Sequence, residues 1–192
     1  MITLSIKTRR ILGKLLFVFV VSTVPSSSMQ AGGMSPLLSK IAQALECSQQ
    51  GSSPRWKLER TEPIRPNENV LIEMFVSAGR RVKVSILEHK SEAEAIEVMK
   101  RGAAADKSAK TLRLGDEAYS WGYSESIAFR SGNLTVYVSA VSDIDTLLPL
   151  LEQDERTKLR RSEEVAINKG LARAIANILS ALDQACRPMD RV

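Results

Sequence analysis

His89 is the only histidine in the chain, so any acid–base, triad or metal mechanism that needs an imidazole depends on it. The residue pattern places His89 at the end of a strand, two residues before a helix-capping Ser91. Glu73 or Ser85 would share its sheet face, which is an arrangement that a small hydrolase could use. A surface or capping histidine is the other interpretation. We assign no catalytic residue and keep the hydrolase as an alternative.

Other catalytic motifs are incomplete. The segment Gly122-Tyr123-Ser124-Glu125-Ser126 lacks the second glycine of a G-x-S-x-G elbow, and a strand pattern follows it where the elbow needs a helix. Asp116 and Glu117 are adjacent, so in an extended chain their carboxylates point to opposite faces. The chain has neither a G-x-G-x-x-G nor a Walker loop. The sequence therefore predicts no cofactor and no metal site.

The first pair of predicted strands is a hairpin formed by residues 70–77 and 82–87, which alternate with a period of two. A two-residue loop would set Val76 against Arg81 and Met74 against Lys83, which mixes apolar and charged partners. We therefore predict a three-residue loop, Ala78-Gly79-Arg80. It gives an apolar face with these pairs: Val76–Val82, Met74–Val84 and Ile72–Ile86.

The second predicted hairpin follows a helix that begins with the capping box Ser91-Glu92-Ala93-Glu94. Taking Gly132-Asn133 as a two-residue loop pairs Phe129 with Val136 and Ile127 with Val138. A long final helix is predicted over about residues 163–185.

The order of these elements predicts an α+β fold. One helix is followed by two strand-strand-helix units, so a single antiparallel sheet with helices packed on one face satisfies the pattern. Strands and helices alternate in pairs, which argues against a parallel doubly wound sheet.

A segment in the second unit resembles a known group of sequences. Gly115-Asp116-Glu117-Ala118-Tyr119, followed by Phe129-Arg130-Ser131-Gly132-Asn133-Leu134 and a valine-rich strand, is similar to a stretch in exported bacterial proteins of unknown function. The resemblance implies a bacterial envelope or secreted setting and no activity.

The outer face, meaning the sheet face predicted to point away from the helices, is the candidate binding surface. It is half apolar, enough for an interface with a protein, peptide or envelope polymer. Its predicted residues are Leu71, Glu73, Phe75, Lys83, Leu87, His89 and Tyr137.

An aromatic strip precedes the second hairpin. Tyr119, Trp121 and Tyr123 share one face of an extended chain. With unbroken parity they join Ile127 and Phe129 in the core. A turn at 124–126 would reset the parity and expose them as a stacking platform for sugars or peptides.

The first 33 residues have the composition of an export signal. Lys7, Arg9, Arg10 and Lys14 precede an apolar run from Leu15 to Val24, and this region has no acidic residue. The run is too short to span a bilayer readily. We predict a cleaved signal at 1–33 and a single domain at 34–192, exported to the periplasm or secreted. If the signal stays uncleaved, it is the only predicted membrane contact.

The rest of the chain is close to neutral. Of 27 basic and 22 acidic residues, residues 34–192 hold 23 and 22, so a basic surface for nucleic acid is not expected. Cys47 and Cys186 are the only cysteines, and an oxidising compartment predicts a disulfide between them.

Three functions are consistent with the sequence. The first is a non-catalytic exported module that binds a protein, peptide or glycan partner. The second is a structural or stress-related envelope protein that associates with another copy of itself, for example as a homodimer. The third is the hydrolase using His89.

Maturation provides the first test. We expect mass spectrometry of the exported protein to find an N-terminus between residues 27 and 34 and a mass lower by two hydrogen atoms than that of the reduced chain. An intact Met1 together with two alkylatable thiols, in the native host, would contradict both the export and the disulfide.

Overall fold

The computed structural model describes residues 34–49, 56–59, 69–144 and 148–182, all within one compact unit, residues 31–192. The predicted signal segment and the predicted Cys47–Cys186 disulfide lie outside the part of the chain whose side chains are described. The described residues form three helices: α1 (Pro36–Gln49), α2 (Glu92–Ala105) and α3 (Gln153–Ser180). They also form seven strands: β1 (Lys57–Glu59), β2 (Val70–Ser77), β3 (Arg80–Glu88), β4 (Lys110–Leu112), β5 (Glu117–Trp121), β6 (Ser126–Ser131) and β7 (Leu134–Ser142).

The strands form one antiparallel sheet in the order β1-β2-β3-β7-β6-β5-β4. This confirms the α+β class, the single antiparallel sheet and the long C-terminal helix. The units differ from the predicted strand-strand-helix form because the short strands β1 and β4 extend the sheet at its two edges. The two halves of the sheet meet where β3 pairs with β7 along the full length of both strands.

The predicted register of the first hairpin is wrong by one residue. Ser77 pairs with Arg80, so the turn is the two residues Ala78 and Gly79. Both have positive φ, 41° and 78°, which is the backbone twist that a two-residue hairpin favours. As a result Phe75 lies opposite Val82.

The second hairpin is confirmed as predicted. Phe129 pairs with Val136 and Ile127 with Val138 across the Gly132-Asn133 turn. Gly132 has a φ of 58°, as this turn requires. The predicted cap of α2 is also confirmed, because the Ser91 hydroxyl accepts a hydrogen bond from the Glu94 amide at 3.2 Å.

Helices cover both faces of the sheet, so the prediction of helices on one face is wrong. The inner face packs on α1 and α3 and contains the main core, including Leu71, Phe75, Ile127 and Phe129. Ala128 alternates with Ile127 and Phe129 and packs instead against Met99 of α2. Successive strand residues point to opposite faces, so α2 lies on the second face.

Polar side chains of α3 complete the hydrogen bonding of β7. Strand β7 extends past the first residue of β6, which leaves amides at its end without a strand partner on the side that faces β6. The Ala140 amide donates to the Asn168 side-chain oxygen at 2.8 Å, and the Ser142 amide donates to Glu164 at 3.0 Å. The Asn168 side-chain nitrogen donates to the Ser124 carbonyl at 2.8 Å. Helix α3 is thereby tied to both β7 and the β5–β6 turn.

The corrected register reverses the expected effect of substitutions in β2. Phe75 is buried at 2% exposure, so Phe75→Ala should cost about 3–5 kcal/mol of unfolding free energy. Ile72 is on the second face at 38% exposure, so Ile72→Ala should cost no more than about 1–2 kcal/mol. Urea unfolding of the two variants measures the difference. Equal losses would mean that the second face is buried at β2.

Candidate functional site

The predicted binding residues are divided between the two faces of the sheet. Lys83, Leu87 and Tyr137 lie on the second face, and His89, just beyond β3, contacts that face through Thr135. Leu71, Glu73 and Phe75 lie on the inner face, and Leu71 and Phe75 are buried in the core. The one-residue change of register is the cause, since it moves every side chain of a strand to the other face. Glu73 is therefore separated from His89 by the sheet.

The residues that sequence reasoning missed are the other set of β2 side chains. Val70, Ile72, Met74 and Val76 occupy the second face, next to Leu87, Ser85, Lys83 and Arg81 of β3 respectively. The Ala78-Gly79 dipeptide was the signal that could have found them, because a two-residue turn with glycine in second place is typical of a tight hairpin. We call the second face over β2 and β3 the open half-face.

The open half-face has no described helix over it. Helix α2 packs on the other half of this same face, over β5, β6 and β7. Ile72 is 38% exposed, and Val141, on the β7 border of the open half-face, is 61% exposed. The β2 side chains, of which Ile72 is exposed and the others are half-buried, thus form an apolar column beside the part of the face that α2 covers.

Cations lie along this apolar column. Arg81 and Lys83 of β3 are exposed next to Val76 and Met74, and Lys57 of β1 lies on the other side of Val76. These three cations form no ion pair with any residue in the described ranges. Glu59 is the carboxylate at the β1 border. The open half-face is therefore apolar along its centre and net positive at the hairpin end.

A groove of about 950 Å³ continues the open half-face around the β2–β3 turn. Val76, Arg81 and Val141 belong both to the groove and to the open half-face. Its far wall includes Arg160 of α3.

The aromatic strip is neither in the main core nor a free platform. Tyr119 pairs with Ala128, so the turn before β6 changes the alternation and places Tyr119 on the second face. Helix α2 covers that face here and leaves Tyr119 only 7% exposed. Trp121 packs at ring-centroid distances of 5.6 Å from Tyr119 and 6.2 Å from Tyr137. Burial raises the pKa of Tyr119 to about 12. Tyr123 lies in the turn between β5 and β6, 54% exposed, with the Arg161 guanidinium 4.7 Å from its ring centroid.

His89 is held at the end of the open half-face by β7. Its Nε2 lies 2.9 Å from the Thr135 hydroxyl, and its backbone carbonyl accepts a hydrogen bond from the Asn133 side chain at 3.0 Å. Partial burial lowers the pKa of His89, against the opposing influence of the Glu94 carboxylate. The imidazole is thus a fixed, mainly neutral group at neutral pH.

The segments 115–119 and 129–134 form a structural network. Arg130 is 7% exposed and its Nη1 lies 2.7 Å from Glu92 of α2 and 3.1 Å from Asp116. Asp116 also accepts from the Gly132 amide at 2.8 Å. Gly115 has a φ of 57°, and a Cβ there would lie 2.3 Å from the Arg130 carbonyl oxygen. These residues join α2 to the loop before β5 and to the β6–β7 turn, and Gly115 and Asp116 also line a groove of about 630 Å³ together with Ser131 and with Asn177 of α3.

The lowered pKa of His89 predicts a loss of stability in acid. Between that pKa and the ordinary value of 6.5, the unfolded chain binds more protons than the folded one. The contribution of His89 to the unfolding free energy is therefore complete above the ordinary value and falls as the pH drops through this window. Urea unfolding at about pH 7.5 and pH 5 should show wild type losing stability relative to His89→Gln, which does not titrate. A relative gain for wild type in acid would contradict the assignment.

Comparisons with known proteins add nothing to this geometry. No family model, curated protein or solved structure compared with the chain gives a match. None of the described helices has the length and apolar composition needed to cross a bilayer. Within the described ranges, no three His, Cys, Asp or Glu side chains are grouped so that they could hold a metal ion.

Proposed function

We propose that this chain is an exported, non-catalytic binding module that uses the open half-face to bind an apolar segment of a partner protein or peptide. The observation that carries the proposal is the column Val70, Ile72, Met74 and Val76 beside α2, which no helix of the described residues covers and in which Ile72 is exposed and the other three are half-buried. Apolar side chains concentrated on one uncovered surface are typical of an interaction site. Export rests on the composition of residues 1–33 and on the resemblance in the second unit.

The cations favour a different protein as the partner over a second copy. In a face-to-face pair with parallel β2 strands, Arg81, Lys83 and Lys57 of each copy would meet their counterparts. In an antiparallel pair they would face the end bordered by Leu87, where β3 offers no carboxylate on this face. Like charges brought together at an interface cost free energy, whereas a partner with carboxylates gains from the same residues. Self-association therefore stands as an outcome that the experiment can reveal.

Site-specific photocrosslinking tests the proposal. We expect a photoreactive amino acid in place of Ile72 to give, in cells that produce the full-length chain, a discrete adduct with another protein. The same substitution at Leu150, which is 98% exposed and lies after β7, should not give that adduct. Lys83→Glu should weaken the Ile72 adduct several-fold, because it replaces a favourable charge by a repulsive one.

The matched control for the charge change is Arg101→Glu, an exposed reversal on α2 that should leave the adduct unchanged. Three results would overturn the proposal: no adduct from position 72, the same adduct from position 150, or an adduct insensitive to Lys83→Glu. An adduct of twice the chain mass would assign the face to a homodimer.

A further inference from the structure

The shape of the open half-face restricts what can lie on it. An extended peptide placed flat on a sheet face would bury backbone N–H and C=O groups that the face cannot satisfy, because the strands already use theirs within the sheet. Strand addition takes place at a sheet edge. The edge of β2 is already paired with β1 over Met74–Val76. A helix satisfies its own backbone and requires only side-chain contacts.

The apolar column has the length and spacing of a helix contact. Val70 to Val76 spans about 20 Å at ~3.3 Å per strand residue, a length covered by a helix of about 13 residues. The β2 side chains on this face, of which Ile72 is exposed and the others half-buried, recur about every 6.6 Å along the strand, close to the ~4.5–6 Å rise over three to four residues of a helix. Helices α1 and α2, which pack on the two faces of this sheet, are 14 residues each.

The width is also that of one helix. Strands lie about 4.8 Å apart, so the β2 and β3 columns with the border of β7 are about 10 Å across, similar to the diameter of a helix. Helix α2 covers the area next to these columns, over β5, β6 and β7. The second face thus accommodates one more helix, beside α2.

We propose that the open half-face binds an amphipathic helix of the partner, with an apolar stripe over β2 and acidic side chains toward Arg81, Lys83 and Lys57. This inference rests on the proposed binding function and names its ligand class. The carboxylates lie toward the β2–β3 turn, since the opposite end of the column is bordered by Leu87 and carries no cation of β3. In the complex, two helices would then lie side by side on the second face: α2 of this chain and the helix of the partner.

Peptide display on the full-length chain tests the inference. The probes are two libraries of 16-residue peptides, one patterned with apolar residues at i, i+3, i+4, i+7 and i+11, the other with strict alternation, both with Glu and Lys allowed equally at polar positions. We expect the helix-patterned library to yield the binders and Glu to outnumber Lys among them. Binding should fall at least about tenfold on an Ile72→Ser/Met74→Ser chain and on an Arg81→Glu/Lys83→Glu chain.

Arg101→Glu/Lys107→Glu is the matched control, since it reverses the same number of exposed charges away from the open half-face and should leave binding unchanged. Circular dichroism melts must show that all three variants fold. Alternating or Lys-rich binders that are lost on the serine variant would overturn the acidic helix and leave the proposed binding face intact. Binders that recognise wild type and the serine variant equally, or an absence of binders from both libraries, would overturn the acidic helix and the proposed face together.

Discussion

The sheet depends on how the end of β7 is satisfied on the side that faces β6. Strand β3 pairs with β7 over its full length, but β6 ends before the amides of Ala140 and Ser142, and buried amides without partners are costly. Asn168 and Glu164 of α3 provide the acceptors, although both are buried and would otherwise be unfavourable in a core. These hydrogen bonds from backbone donors of β7 to side-chain acceptors of α3 fix the position of α3 on the inner face.

The position of α3 determines what the other helices can cover. Because α3 lies over β6 and β7, α1 takes the remaining inner surface, toward β2. The inner face is then filled by two helices, and α2 is placed on the second face by the salt bridge from Glu92 to Arg130 and the packing of Met99. Of the helices in the described ranges, two cover the inner face and one covers the second face. The open half-face is the part of the second face that this one helix does not reach.

The sequence predicted those elements in which only one arrangement buries the apolar residues. In the second hairpin, Ile127 and Phe129 alternate with smaller or polar residues and Gly132-Asn133 defines the turn, so the register follows. In β2 each alternating set contains large apolar residues, Leu71 and Phe75 in one and Ile72 and Met74 in the other, so the pattern is compatible with either register. The prediction treated the pairing of Met74 with Lys83 as unfavourable, which is wrong. That pairing is tolerated because both side chains lie at the surface.

The contacts of α3 could not be predicted from periodicity. Glu164 and Asn168 are on the buried side of the helix, where a pattern analysis expects apolar residues, and only the mismatch in length between β6 and β7 explains them. The position of α2 was likewise hidden, because its buried residues Ala95 and Met99 identify a packed helix but not the face on which it packs.

The composition of β2 connects the fold to the proposed function. A strand that is apolar at nearly every position is typical of a strand covered on both faces. The described residues cover one face of β2, with α1 and the core, and leave Ile72 exposed and Met74 half-buried on the other. The fully buried side chains of the strand are Leu71 and Phe75. The second apolar set therefore has a physical reason if another molecule supplies the cover, and the neighbouring cations of β3 then serve to select which molecule that is.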